Sequence, residues 1–247
     1  MDDRYVTAGQ ITRCEHCSIR NRAVCGVLHE EELNHLNRIA RRKLITAGET
    51  ILSDQEPAPF LGNIVSGVVK LTKTLADGRQ QIVGLQFAPD FLGRAFSANN
   101  PYFAEAATVV ELCCFPRSDF EKLMRSQPDL EHRLFERTLN ELDAAREWML
   151  LLGRKTAEEK VASFLLMLAK RSAMIGCAGD EEPNEARFVM PLTRSDIADY
   201  LGLTIETVSR QITRLRVRNV IRPLDSRTFL VPNLALLARA AGHVPEL

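Results

Sequence analysis

Apolar positions change their period along the chain. From Leu44 to Phe115 they come in short β-rich runs, NIVSGVVKLTKTL, QQIVGLQF and ATVVELCCF, broken by Gly48, Gly62, Gly67, Gly78, Gly84 and Gly93. That pattern predicts a sheet domain of barrel or roll type. Within it, Asp77-Gly78 lies between two alternating strands and predicts a tight hairpin. After Pro116 the period becomes helical. From near Pro128, DLEHRLFERTLNELDAAREWMLLLGRK holds no glycine or proline before Gly153, and Phe135, Thr138, Leu142, Ala145, Met149 and Leu152 recur at spacings of three and four. Such a stripe suits one long helix paired with a copy of itself or, as is commoner without other context, a helix laid on its own domain. Thr156 and Glu159 form a capping-box pattern that starts a second helix, TAEEKVASFLLMLAKR. The polar SAMIGCAGDEEPNEAR after it reads as a loop. Residues 1–29 show neither period and read as an arm.

The C-terminal stretch PLTRSDIADYLGLTIETVSRQITRLRVRNVI, Pro191 to Ile221, carries a more specific pattern. Thr193 is placed to cap a helix whose apolar face is Ile197, Ala198 and Leu201, and Gly202 suits the left-handed position after a helix end. Thr204 is placed to cap a second helix with Val208, Ile212 and Leu215 inward. Two helices joined by a short glycine turn make a helix-turn-helix, and VIRPLDSRTFLVP after it predicts a hairpin wing turning at Asp225-Ser226. The second helix would present Thr204, Glu206, Thr207, Ser209, Arg210 and Arg214 outward. Arg210 has the fork for guanine, Glu206 can accept from cytosine N4, and Ser209 can serve a base or a phosphate. Arg214, Arg216 and Arg218 suit phosphates, which set affinity and salt dependence.

Charge changes this picture only locally. Thirty-two basic and 32 acidic residues balance to a formal charge of zero, which argues for neither a polyanion-binding nor a membrane-surface protein overall. The Met190–Arg222 stretch departs from that balance, with six arginines against three carboxylates. MDDRYVTAGQ has no apolar run of signal-peptide length, and no later segment has the run of a membrane span, so a cytoplasmic protein is expected. In that compartment thiols stay reduced, and clustered cysteines serve metals or redox chemistry. Three of the six cysteines, Cys14, Cys17 and Cys25, stand in a C-x2-C-x7-C spacing within CEHCSIRNRAVC, among Arg13, Arg20 and Arg22. The spacing alone fits zinc and an iron–sulfur cluster equally. His16, His29 and His35 read as solvated histidines of a polar segment, and Cys177 as a bystander in its loop. No nucleophile–base pair, glycine-rich phosphate loop or C-x-x-C on a βαβ pattern accompanies the cysteines, so the chain does not read as an enzyme.

Taken together, the cysteine arm, β-roll, long helix and LGLTIETVSRQITRL resemble the CRP/FNR superfamily of bacterial transcription regulators, and within it the oxygen-sensing FNR type of the alphaproteobacterial branch. The resemblance implies an α+β chain divided into an arm (1–29), a β-roll sensor domain of cyclic-nucleotide-binding type (30–125), a dimerisation helix (126–153) and a winged helix-turn-helix (154–247). It implies a [4Fe-4S] cluster on Cys14, Cys17, Cys25 and a fourth cysteine three residues before a proline, which selects Cys113 over Cys114 through Pro116. Adjacent strand residues face opposite sides, so only one of the two can meet the arm. It also implies a homodimer that reads a palindrome of the TTGAT-ATCAA type through E-x-x-S-R, here Glu206, Ser209 and Arg210. Surface contact with RNA polymerase is implied too, at the Asp77-Gly78 hairpin or elsewhere.

The chain departs from the superfamily's pattern twice. Where a cyclic-nucleotide-binding roll carries an acidic residue, PDFLGRAF has Arg94, and NNPYFAEAATV lacks the Arg-Ser pair that follows, so no cyclic nucleotide is expected. The seam position that is aspartate in the enterobacterial member is Ala145 here, flanked by Asp143 and Glu147. A small apolar residue there costs no desolvation, so the dimer is expected to persist in part without the cluster.

Overall fold

The computed structural model describes residues 14–97, 99–176 and 184–243; Arg13 and Cys177 lie outside them. The chain forms two compact units, 1–144 and 145–247. The first opens with three 3₁₀ turns, Cys14–His16, Arg20–Arg22 and Val24–Val27, followed by α1 (Glu30–Ile39). Eight strands come next: β1 (Arg41–Ile45), β2 (Thr50–Leu52), β3 (Phe60–Ser66), β4 (Val68–Thr74), β5 (Gln80–Phe87), β6 (Phe91–Leu92), β7 (Phe103–Ala106) and β8 (Val110–Pro116). Then come α2 (Arg117–Ser126) and α3 (Pro128–Arg154), which runs across the boundary between the units.

The strands make two antiparallel four-stranded sheets, ordered β1-β8-β3-β6 and β2-β7-β4-β5, which is the expected roll. Glycine-punctuated runs of β-branched residues suit short strands with one face in a core. Ile45, Ile64, Leu92, Leu112 and Cys114 of the first sheet and Leu52, Val69, Ala104 and Ala106 of the second fill one core cluster. At the predicted hairpin the Leu75 amide donates to the Arg79 carbonyl at 2.8 Å, and Asp77 Oδ1 accepts from the Arg79 amide at 3.1 Å.

The opposite face of the first sheet is also covered, because Leu61, Phe115 and Phe91 pack there with Phe120 and Met124 of α2 and Leu130 of α3. Phe120 stacks on both Phe91 and Phe115, with ring centroids 5.3 and 5.2 Å apart. The N-terminal segment corrects the expectation of a patternless arm: Ile19, Ala23, Val24, Cys25 and Leu28 are buried in this same cluster. Its turns are tight enough that a Cβ on Gly26 would lie 2.7 Å from the Arg20 carbonyl oxygen. Helix α1 was not expected either; its signal is Leu33, Leu36 and Ile39 at three-residue spacing.

In the second unit α4 spans Ala157–Gly176. The Thr156–Glu159 capping box forms: the Thr156 amide donates to Glu159 Oε2 at 2.8 Å and the Glu159 amide to Thr156 Oγ1 at 3.4 Å. The loop expected from Ser172 does not begin there, since residues 172–176 continue the helix; residues 177–183 of that stretch lie outside the described residues. β9 (Ala186–Val189), α5 (Arg194–Leu201), α6 (Ile205–Val217), β10 (Arg222–Pro223), β11 (Thr228–Val231) and α7 (Leu234–Ala240) follow. The wing is a three-stranded sheet, β10-β11-β9, and not only a hairpin. The Trp148 ring of α3 stacks on Tyr200 of α5 with centroids 3.9 Å apart.

Because Phe120 is the ring shared by both stacks, Phe120→Ala is expected to destabilise the N-terminal unit by about 3–5 kcal/mol, measured by urea unfolding of the full chain.

Candidate cofactor cradle and DNA-binding face

Strand β8 decides which cysteine meets the arm. Successive side chains point to opposite faces, so Val110, Leu112 and Cys114 enter the core between the sheets while Cys113 and Phe115 face the arm. Cys14, Cys17 and Cys113 pack against the cluster that buries Cys25. Three of these thiols have pKa values raised above the usual thiol value. Burial is the main cause for each, pushing Cys25 up to about 12, and Cys14 and Cys17 crowd Cys25 further. Cys14 is raised by burial and then by Cys17; Cys113 is raised by burial against the opposing pull of Arg42, with Cys25 and Cys14 adding to the rise. Cys25 thus feels both other arm thiols, and Cys113 feels Cys25 and Cys14.

A polar side chain reaches each arm sulfur. Cys14 Sγ donates to Asn37 Oδ1 at 3.5 Å, Arg42 Nη2 donates to Cys17 Sγ at 3.5 Å, and Asn63 Nδ2 donates to Cys25 Sγ at 3.9 Å. Asn63 is 1% exposed, and its Oδ1 has no hydrogen-bond partner. Leaving a buried polar atom unmatched costs about 1–3 kcal/mol, so Asn63 is a poor choice for packing alone. The sequence reading missed Arg42 and Asn63, although an asparagine inside the apolar run FLGNIVSG was a visible signal.

Among the described residues no group of three or more His, Cys, Asp or Glu side chains converges to hold a single metal ion. A four-iron cluster makes a different demand, because each thiolate binds its own iron and the sulfurs need only surround a common centre. Cys14, Cys17 and Cys25 on the arm and Cys113 on β8, packed at one core cluster with cationic and amide donors beside them, fit that donor set. His16, His29 and His35 are exposed. The arm is also joined to α3: Leu130 is buried in the cluster around Cys25, Leu134 packs against it, and Arg137 donates a hydrogen bond to the Arg22 carbonyl.

The apolar stripe on α3 is largely uncovered within the chain. Phe135 is 58% and Met149 71% exposed, and Leu142, Thr138 and Ala145 are exposed, while Leu152 is partly covered. Leu139 and Leu150, which the periodicity did not pick out, widen the exposed apolar surface. A cavity of about 860 Å³ lies in the first unit, lined by Phe91, Arg94, Tyr102, Phe135 and Glu141 among others. Arg94 is exposed there, at the position where a nucleotide-binding roll carries its carboxylate.

In the second unit the caps form as the residue types dictate. Thr193 and Asp196 make a reciprocal capping box on α5, and Gly202 ends that helix in the left-handed region at φ 61°, ψ 45°. A residue with a Cβ is disfavoured there. Thr204 Oγ1 accepts from the Thr207 amide at 3.2 Å and starts α6. Val208, Ile212 and Leu215 are buried as expected, and Gln211 joins them. The cap Thr204 and, on α6, Glu206, Ser209, Arg210, Arg214 and Arg216 are exposed, while Thr207 is partly covered. Arg210 Nη2 donates to Thr207 Oγ1 at 3.4 Å, which steadies the guanidinium on the exposed face. Arg218 is not among the free cations, because it pairs with Glu158. In the wing, Asp225 Oδ1 accepts from the Arg227 and Thr228 amides at 2.8 and 2.7 Å, closing the turn where it was expected.

Comparison with known proteins agrees with both halves. Residues 42–127 match the cyclic nucleotide-binding domain and residues 159–240 the Crp-like helix-turn-helix domain. The chain is 47% identical to a probable transcriptional activator of Rhizobium leguminosarum bv. viciae, over 95% of each sequence. It is 45% identical to the transcriptional activator protein FnrL of Cereibacter sphaeroides, over 93% of this chain and 92% of that one. The solved structure of FixK2 from Bradyrhizobium japonicum superposes with a TM-score of 0.74 at 33% identity, covering 83% of this chain and 99% of that one. These relatives are regulators and not enzymes. Roll, long helix and capped helix-turn-helix, matched along nearly the whole length by such relatives, show that the chain belongs to the CRP/FNR family of transcription regulators.

Proposed function

We propose that this protein is an oxygen-responsive transcription activator that carries a [4Fe-4S] cluster on Cys14, Cys17, Cys25 and Cys113. It works in the cytoplasm and, as a homodimer, binds a palindromic site of the TTGAT-ATCAA type. Regulators of this family bind DNA through the helix-turn-helix and act as dimers; the sensing chemistry, the ligands and the operator are the proposal. Its main support is the docked arm, which gathers three thiols against Cys113 on the face of β8 turned away from the inter-sheet core.

When bound, the cluster supplies an oxygen-labile link between arm and roll. The chain's own residues do the rest. Cys14, Cys25 and Cys113, with raised pKa values, hold their protons at neutral pH until a metal takes their place, so loading releases protons. Arm residues from Ile19 to Leu28 pack into the cluster shared with Leu130 and Leu134, and Arg137 reaches the Arg22 carbonyl. Ordering the arm therefore bears on the same helix that presents Phe135, Thr138, Leu142, Ala145, Met149 and Leu152 for pairing. A paired arrangement would set two recognition helices about 34 Å apart, one turn of DNA. From α6 and its cap Thr204, Arg210 would read guanine, Glu206 cytosine, and Thr204, Thr207 and Ser209 neighbouring bases or phosphates, with Arg214 and Arg216 meeting the backbone. The Asp77-Gly78 hairpin is offered as a contact for RNA polymerase. With Arg94 in place of a carboxylate, the roll is expected to bind no cyclic nucleotide.

Three outcomes check this reading. Replacing Cys14, Cys17, Cys25 or Cys113 singly with serine is expected to remove the iron, the acid-labile sulfide and anaerobic promoter activation. Zinc without sulfide in anaerobically purified wild type would instead identify a zinc-stabilised regulator. Arg210→Ala should lose about 1–3 kcal/mol of base discrimination, whereas Arg216→Ala should weaken binding across sequences and reduce the salt slope by about 1, both measured by titration of operator and mismatched DNA at several salt concentrations. Because Ala145 adds no buried charge to the seam, cluster-free protein is expected to remain partly dimeric at micromolar concentration, as read by sedimentation; a purely monomeric profile would contradict it.

A further inference from the structure

Cys113 stands in a row across three strands. Its partner in the ladder on β1 is Arg42, and its partner on β3 is Asn63. Residues directly opposite in antiparallel strands point to the same face, so Arg42, Cys113 and Asn63 all face the docked arm. The two flanking side chains contact the thiols that come down onto that row, Arg42 at Cys17 and Asn63 at Cys25.

Both are held in place. The fork of Arg42 is split, with Nη1 on Glu111 Oε1 at 3.1 Å and Nη2 on the sulfur. Glu111 lies two residues before Cys113 and shares its face, so the carboxylate that anchors the guanidinium belongs to the strand that carries the cysteine. Asn63 stands between Leu61 and Val65, which turn the same face to the arm core, and it is buried with its amide oxygen unmatched. An apolar residue would satisfy the packing at that position, whereas an amide N–H beside Cys25 would not be replaced by one.

We propose that Arg42 and Asn63 are positioning residues for the cysteine-held cofactor, donating N–H···S hydrogen bonds that flank Cys113 and govern the potential and oxygen lability of the bound cluster. This rests on the iron–sulfur reading above. A cluster on four thiolates carries net negative charge, and adding an electron increases it. Donors and a cation aimed at the ligating sulfurs stabilise the more reduced state and make the cluster harder to oxidise. Arg42 supplies charge and a donor from the partly exposed edge of the cradle, and Asn63 supplies a neutral donor from its buried side.

The test uses the full chain purified under strict anoxia, as wild type and as Arg42→Gln, Arg42→Lys and Asn63→Leu. Asn63→Leu keeps nearly the same shape while removing the donor and buries no charge, and Arg42 lies partly in solvent, so neither change depends on repacking a core. Iron and sulfide content, midpoint potential, half-time of loss of visible absorption in air, and thermal unfolding of the cluster-free forms are measured. Arg42→Gln and Asn63→Leu are expected to lower the potential and shorten the half-time by roughly tenfold, with Arg42→Lys recovering part of both and the cluster-free melts no lower than that of wild type. A variant that folds as wild type yet assembles no cluster supports the assignment equally. Variants loaded like wild type, with its potential and half-time, overturn it. If wild type itself comes out of anoxic purification without iron and sulfide, the cluster reading fails, a result separate from any contrast among the variants.

Discussion

The burial of Ile19, Ala23, Val24 and Leu28 against the outer face of the first sheet is the contact on which the rest of the N-terminal unit depends. It brings a short segment with little regular structure into a core that already contains Phe115, Phe120 and Leu130. Apolar burial drives that docking without direction. Its consequence is directional all the same, because the segment's cysteines are carried onto a sheet whose own residues are fixed by the ladder.

The first sheet is used on both sides. One side closes the roll against its partner sheet, and the other receives the arm, α2 and the start of α3. Strand β8 shows how alternation sorts chemistry from packing: Cys114 joins the inter-sheet core while Cys113, one residue earlier, meets the arm. Since Leu130 and Leu134 lie in the arm's cluster and Phe135 follows them on the exposed stripe, the arm's packing and the exposed apolar stripe of α3 are neighbours on one helix. A regulator needs such adjacency if binding in one place is to bias an interface in another.

The DNA-binding unit is built on different principles. Its helices begin at threonine caps and turn at a left-handed glycine, all local devices whose effect does not depend on distant parts of the chain. For that reason the helix-turn-helix, its inner face and the turn of the wing were legible from residue types and spacing. Distant partners were not. Gln211 joins the buried face, Arg218 is taken by Glu158, and β9 adds a third strand to the wing.

By itself the sequence determined the roll, the long helix with its apolar stripe, the two capped helices of the helix-turn-helix and the clustering of three cysteines, because each of these is written in periods or residue types a few positions apart. Only the tertiary structure decided that Ile19 to Leu28 of the arm pack into a core, that Cys113 is the cysteine of β8 turned toward them, and that Arg42 and Asn63 flank it. Those relations join residues tens of positions apart through strand register and a shared core. Neither helical nor strand periodicity records which distant face a side chain will meet.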